Sequence, residues 1–159
     1  MNDEQQPKKV FEAYAHEAFD FLCLNSSLRC VASKSNLVRF ESPTVFFEVG
    51  YTASYDCEVY ARIGRLGAPG VLSNSLEERL DFGLFLSVAD PDGYIEFRRI
   101  VPNNIATSEG QIRRVLSYFS IGLGQYGIPL LSADDKTYAH ARELRFWHAP
   151  DFPADALSN

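Results

Sequence analysis

Three segments decide the fold: LVRFES at 37–42, TVFFEVGY at 44–51 and DCEVYARIGRL at 56–66. In each, apolar side chains recur at every second residue, the period of a strand whose two faces meet different surroundings. Val38 and Phe40, then Val45, Phe47 and Val49, then Cys57, Val59, Ala61 and Ile63 take one side. Arg39 and Glu41, then Phe46 and Glu48, then Glu58, Tyr60 and Arg62 take the other. Pro43 punctuates the first connection and Thr52–Tyr55 the second. The run therefore reads as a curved antiparallel meander with one buried and one solvated face.

Upstream of the meander, Phe11, Tyr14, Ala15, Ala18, Phe19 and Leu22 recur at spacings of three and four, while Glu12, His16, Glu17 and Asp20 occupy the other side. That pattern predicts an amphipathic helix from Lys8 to about Leu24. Leu28–Ala32 reads as a first strand leading into a turn at Ser33–Asn36. Downstream, 64–74 is rich in glycine and proline and reads as a loop. Ser75-Leu-Glu-Glu78 has the form of a capping box, predicting a helix whose stripe is Leu76, Leu80, Leu84 and Val88. Asp90-Pro-Asp-Gly93 reads as a turn, and a rival reading makes Leu84–Ala89 and Tyr94–Ile100 a hairpin about it. Thr107 or Ser108 caps a helix to about Tyr126, with Ile112, Val115, Leu116, Phe119 and Leu123 inward. A last helix starts near Ser132–Asp135 and carries Tyr138, Ala141, Leu144, Arg145 and Phe146. The expectation is α+β: an N-terminal helix, a three- to four-stranded antiparallel meander, and C-terminal helices packed on one face of the sheet.

At 159 residues one domain spanning 1–159 is expected, with 1–7 and 150–159 as loose tails. A hydrophobic fraction of 46% and an aromatic fraction of 13% belong to a packed domain, not a disordered chain. The net charge of −6 is evenly spread: 8 basic and 11 acidic residues up to Leu80, then 7 and 10. Phosphate recognition needs a concentrated basic stripe, so this balance argues against nucleic acid as a ligand. Cys23, Cys30 and Cys57 form no CxxC and sit in apolar segments, which reads as buried reduced thiols in a reducing cytoplasm. The N-terminus has no apolar core of an export signal, and no stretch has the length of a membrane span.

Chemistry is harder to find. No GxSxG, HExxH, GxxxxGK[ST] or HxE…CxxC occurs. Gly122-Leu-Gly-Gln-Tyr-Gly127 mimics GxGxxG but ends a helix instead of opening one, so close packing and a C-cap explain it better. Glu77/Glu78 and Asp134/Asp135 complement helix dipoles. His140 with Glu143 offers two metal ligands, too few for a site, and His16 beside Glu12 and Asp20 reads as a surface cluster. No catalytic residue, metal or cofactor is expected. The outward meander face is the exception: Phe46, Glu48, Glu58, Tyr60 and Arg62 combine aromatics with alternating charge, and Tyr and Arg favour binding hot spots. The competing account is a solvated sheet stitched by cross-strand ion pairs, with Phe46 covered by a loop or tail.

Four stretches carry a family likeness: VRFES and VFFEVGY within 38–51, EVYARIGRL at 58–66, SLEERL at 75–80, and VLSYFSIGLGQYGIPLLSADD at 115–135. Together they resemble a loose group of uncharacterised bacterial proteins, some immunity-like and encoded in polymorphic-toxin neighbourhoods. The likeness covers about two-thirds of the chain, and 84–106 departs from it. Its motifs are strands and caps, so it implies a fold more than an activity, and it carries over no functional residue. What it implies is a non-catalytic, cytoplasmic protein-binding domain, an immunity protein that occludes the active site of a cognate toxin; the acidic balance of the chain suits a basic enzyme as that toxin. The alternatives are a small enzyme or ligand-binding domain with a pocket between sheet and helices, or an adaptor in a bacterial or phage assembly. A homodimer through a sheet edge is a further expectation.

Overall fold

Apolar residues at helical spacing wind the first described segment into α1 (Gln6–Phe19), with Phe11, Ala15 and Phe19 fully buried. The helix begins two residues before the sequence predicts and breaks at Asp20, after which a short α2 (Phe21–Asn25) buries Leu22. The computed structural model describes residues 6–25, 27–52, 57–66, 80–101, 103–127 and 135–145.

The meander forms as its alternation requires. β1 (Arg29–Lys34), β2 (Leu37–Glu41), β3 (Val45–Thr52), β4 (Glu58–Arg65) and β5 (Leu80–Asp81) lie side by side in that order, every neighbouring pair antiparallel. The architecture is the α+β arrangement expected, with five strands. Val38, Phe40, Phe47, Val49, Ala61 and Ile63 join α1 and the later helices in one core. At the start of β4, Cys57 adopts φ +48°, an uncommon value for a residue with a side chain. There 104–106 runs alongside the strand: the Val59 amide donates to Asn104 O at 2.8 Å and the Ala106 amide to Cys57 O at 2.7 Å. The Tyr51 hydroxyl closes the same joint on Ala106 O at 2.9 Å. Burial, then a hydrogen bond with Cys57, pushes that phenol up to about 12.

The middle of the chain corrects the sequence reading. Ser75–Arg79 lie outside the described residues, but Leu80 and Asp81 are strand, and α3 (Phe82–Ala89) starts after them. Asp81 is its cap, accepting from the Leu84 amide at 2.9 Å. The inward residues are Phe82, Phe85 and Leu86, not the leucine stripe anticipated. The Asp90–Gly93 turn and the rival hairpin are both overturned, because α4 (Pro91–Ile100) follows directly. Asp90 serves both helices: its amide donates to Leu86 O at 2.8 Å and its carboxylate accepts from the Gly93 amide at 3.0 Å. Proline at the first helical position is preset for this role, since its missing N–H would have had no partner there.

α5 (Glu109–Gly122) opens on a complete capping box between Ser108 and Gln111 and runs into a π-helical turn, Leu123–Gly127. Gly122 faces Phe97 of α4 so closely that a Cβ would stand 2.3 Å from Cδ2, which is the close packing its sequence context implied. α6 (Asp135–Arg145) buries Tyr138 and Ala141 against the rest. Ser132–Asp134, Phe146, the 53–56 connection and the expected terminal tails, save Gln6 and Pro7 in α1, lie outside the described residues. Phenylalanines tie the layers together: Phe19–Phe47 at 5.4 Å, Phe47–Phe82 at 6.0 Å, Phe82–Phe97 at 5.3 Å and Phe97–Phe119 at 5.8 Å between ring centroids. Each such pair adds about 0.5–1.5 kcal/mol beyond its area burial.

Candidate functional site

Antiparallel register places Arg39 opposite Glu48, Glu48 opposite Arg62, and Arg62 opposite Asp81. Charge thus alternates along one row across β2, β3, β4 and β5, on the sheet face away from α1. Arg39 Nη1 lies 3.5 Å from Glu48 Oε2, Arg62 Nη1 lies 3.8 Å from Glu48 Oε1, and Arg39 Nε donates to Glu41 Oε1 at 2.9 Å. Aromatic rings flank the row. The Arg39 guanidinium sits 3.9 Å above the Phe46 ring, and that of Arg62 sits 4.4 Å above Tyr60. Gly50 is required here, because a Cβ at that position would fall 2.1 Å from Tyr60 Cζ. The tyrosine ring therefore lies flat across the backbone of β3.

All five residues singled out from the sequence lie on this face, but their exposure differs. Phe46 and Glu48 are fully buried and Arg39 is nearly so, which corrects the expectation that both are presented outward. Alternation identifies the side of a strand and says nothing about what lies over it. Glu58, Tyr60 and Arg62 are half-buried and form the accessible part. Glu58 is held by Asn104, whose side-chain amide donates to its carboxylate. Asp81 was missed because its segment read as helix. It stands solvent-exposed at the end of the row, yet desolvation by the surrounding protein raises its carboxyl above the ordinary range. Amide bonds from Leu84 and Gly83 oppose that rise, Glu58 adds to it, and Arg98 opposes it.

A second polar cluster joins α1 to β1 on the opposite face. Glu12, His16 and Asp20 are four residues apart and share one helix stripe. His16 Nδ1 is 2.8 Å from Asp20 Oδ1, its Nε2 is 2.8 Å from Ser33 Oγ, and the Ser33 hydroxyl also donates to Glu12. The sequence reading recognised the helical cluster and not Ser33, which lies 17 residues further along. Cys23 and Cys30 are exposed and Cys57 is half-buried, all of them free, so the expectation of buried thiols is corrected. Partial desolvation, then the neighbouring Cys23, raises the Cys30 thiol above its ordinary range.

Concavities lie elsewhere among the described residues. A groove of about 240 Å³ between α1 and α5 is lined by Tyr14, Glu17, Ala18, Arg113, Ser117, Ser120 and Ile121. Its arginine is already engaged, at 2.6 Å from Glu17 and stacked on Tyr14. A crevice between Arg65, Leu80, Tyr138 and Arg142 has no room for a water molecule. Among the described residues its Tyr138 hydroxyl makes no hydrogen bond, and burial raises that phenol. Among the described residues no group of His, Cys, Asp and Glu is arranged to hold a metal ion. None of the described helices is long and apolar enough to cross a membrane. Comparison with protein-family models, with curated proteins and with solved structures found no match.

Proposed function

We propose that this chain works by binding another protein through the outer face of its sheet, with no chemistry at that face. The observation supporting the reading is the Arg39–Glu48–Arg62–Asp81 row, whose charges and flanking rings are fixed before any partner arrives. Side chains already held in place lose little conformational freedom on association. Tyr60, Arg62 and Glu58 are the contact residues, while Arg39, Phe46 and Glu48 form the rigid layer beneath. The sharp version is an immunity protein in the producer's cytoplasm that covers the active site of a toxin enzyme. A chain of net charge −6 suits a basic partner. Surface thiols at Cys23 and Cys30 suit a reducing compartment.

The test is capture of the partner from native host lysate, followed by affinity measurement with variants. Glu48→Lys is the wrong variant, because reversing a buried charge between arginines removes about 3–5 kcal/mol of stability. Glu58→Lys and Tyr60→Ala are expected to weaken a stoichiometric, inhibited basic enzyme by about tenfold or more each, with thermal stability little changed. Affinity unchanged in both would remove the outer face from consideration.

The same reading disfavours a homodimer through β1. Antiparallel self-pairing centred between Val31 and Ala32 sets Arg29 against Lys34 of the second copy, and like charges directly opposite are destabilising. The bulge between Cys30 and Ala32 further interrupts that edge. The small-enzyme alternative is favoured by one observation only, the contact between Ser33 and His16.

A further inference from the structure

We propose that Ser33 is a nucleophile activated by His16, with Asp20 as the positioning residue that orients the imidazole. The inference goes beyond the binding reading and is independent of it, since these residues lie on the helical side of the sheet. β1 pairs Ser33 with Val38, a core-side residue, which turns the hydroxyl toward α1. The two contacts of His16, to Ser33 and to Asp20, are each 2.8 Å, the reach required between nucleophile and base and between base and orienting acid. A carboxylate can only accept, so Asp20 fixes the ring proton of neutral His16 on Nδ1. That tautomer leaves the Nε2 lone pair facing Ser33. Glu12 accepts the same hydroxyl, so the Ser33 proton has two settings, one on Glu12 and one on His16.

The reaction follows from the groups present. Ser33 Oγ forms a bond to an electrophilic carbonyl carbon or phosphorus as its proton passes to His16 Nε2. The bond to the leaving group then breaks, the electron pair departs with that group, and His16 returns the proton to it. Ser33 is flanked by a base and a carboxylate, neither of which supplies positive charge to a developing oxyanion before the proton has moved. The substrate class is therefore activated acyl or phosphonyl compounds such as aryl esters, whose leaving groups need little help.

A fluorophosphonate probe tests this on the full chain, with adducts located by peptide mass spectrometry and folding followed by circular dichroism. The expected result is a single adduct on Ser33, absent in Ser33→Ala and formed about a hundredfold more slowly in His16→Ala. His16→Gln, closer in size, serves if the alanine variant fails to fold. Asp20→Asn should slow labelling and displace its pH profile, which a purely structural bond would not do. No Ser33 adduct on the folded native chain, or equally fast labelling without His16, overturns the proposal.

Discussion

Asp81 carries two demands that pull its ionisation in opposite directions. Capping α3 favours the carboxylate, while desolvation favours the acid and wins, so its folded value lies above the unfolded one. The sign of the linkage follows. Protonated Asp81 is bound more tightly in the folded chain, so its contribution is fully present below the unfolded value and lost as pH rises through the folded one. Asn caps nearly as well as Asp but carries no charge. Asp81→Asn should therefore gain stability relative to the native chain as pH rises from about 3 to 7. Asp81→Ala should lose about 1 kcal/mol through the missing cap. Urea unfolding across that range distinguishes the two, and an Asn variant whose deficit grows with pH would contradict this account. Glu48 gives the complementary lesson. Its place in the alternation was legible, but its burial was not, because two arginines from neighbouring strands close on it.

Elements with several periods of pattern were legible, and those without were not. β2, β3 and β4 and the inward stripes of α1 and α5 follow from spacing alone. β5 is two residues long, too short to show a period, and Leu80 fits a helical stripe as well as a strand. Asp90-Pro91 was misread because one chemistry serves two structures: Asp and Pro start helices for the same reasons that they start turns. The row ending at Asp81 needed a register between distant segments, and Ser33 reached His16 only once α1 lay on β1. Helix packing yields a sharper test. Gly122 admits α5 to the ring of Phe97, with no space for a methyl group. Gly122→Ala should lower stability by about 1–3 kcal/mol, despite alanine's better helix propensity, as α4 and α5 are forced apart. A thermal melt that rises instead would show that the ring yields without strain.

At the scale of the whole molecule, the helices and sheet share one aromatic spine, from Phe19 through Phe47, Phe82 and Phe97 to Phe119. It draws on α1, β3, α3, α4 and α5, so no described layer keeps a core of its own. Composition pointed to such a core, with 12 phenylalanines against one methionine. The order in which the rings meet depended on the fold. The shared residue between α3 and α4 adds a mechanical consequence. A helix normally frays from each end on its own, but here the last amide bond of one and the first side-chain bond of the next hang from Asp90. Loosening either end strains the other, so the two helices should open to solvent as one unit. Native-state hydrogen exchange reads this directly: amides flanking the joint, Ala89 on one side and Tyr94 on the other, should exchange with a common opening free energy. Asp90→Ala should separate them, giving each helix its own rate of opening.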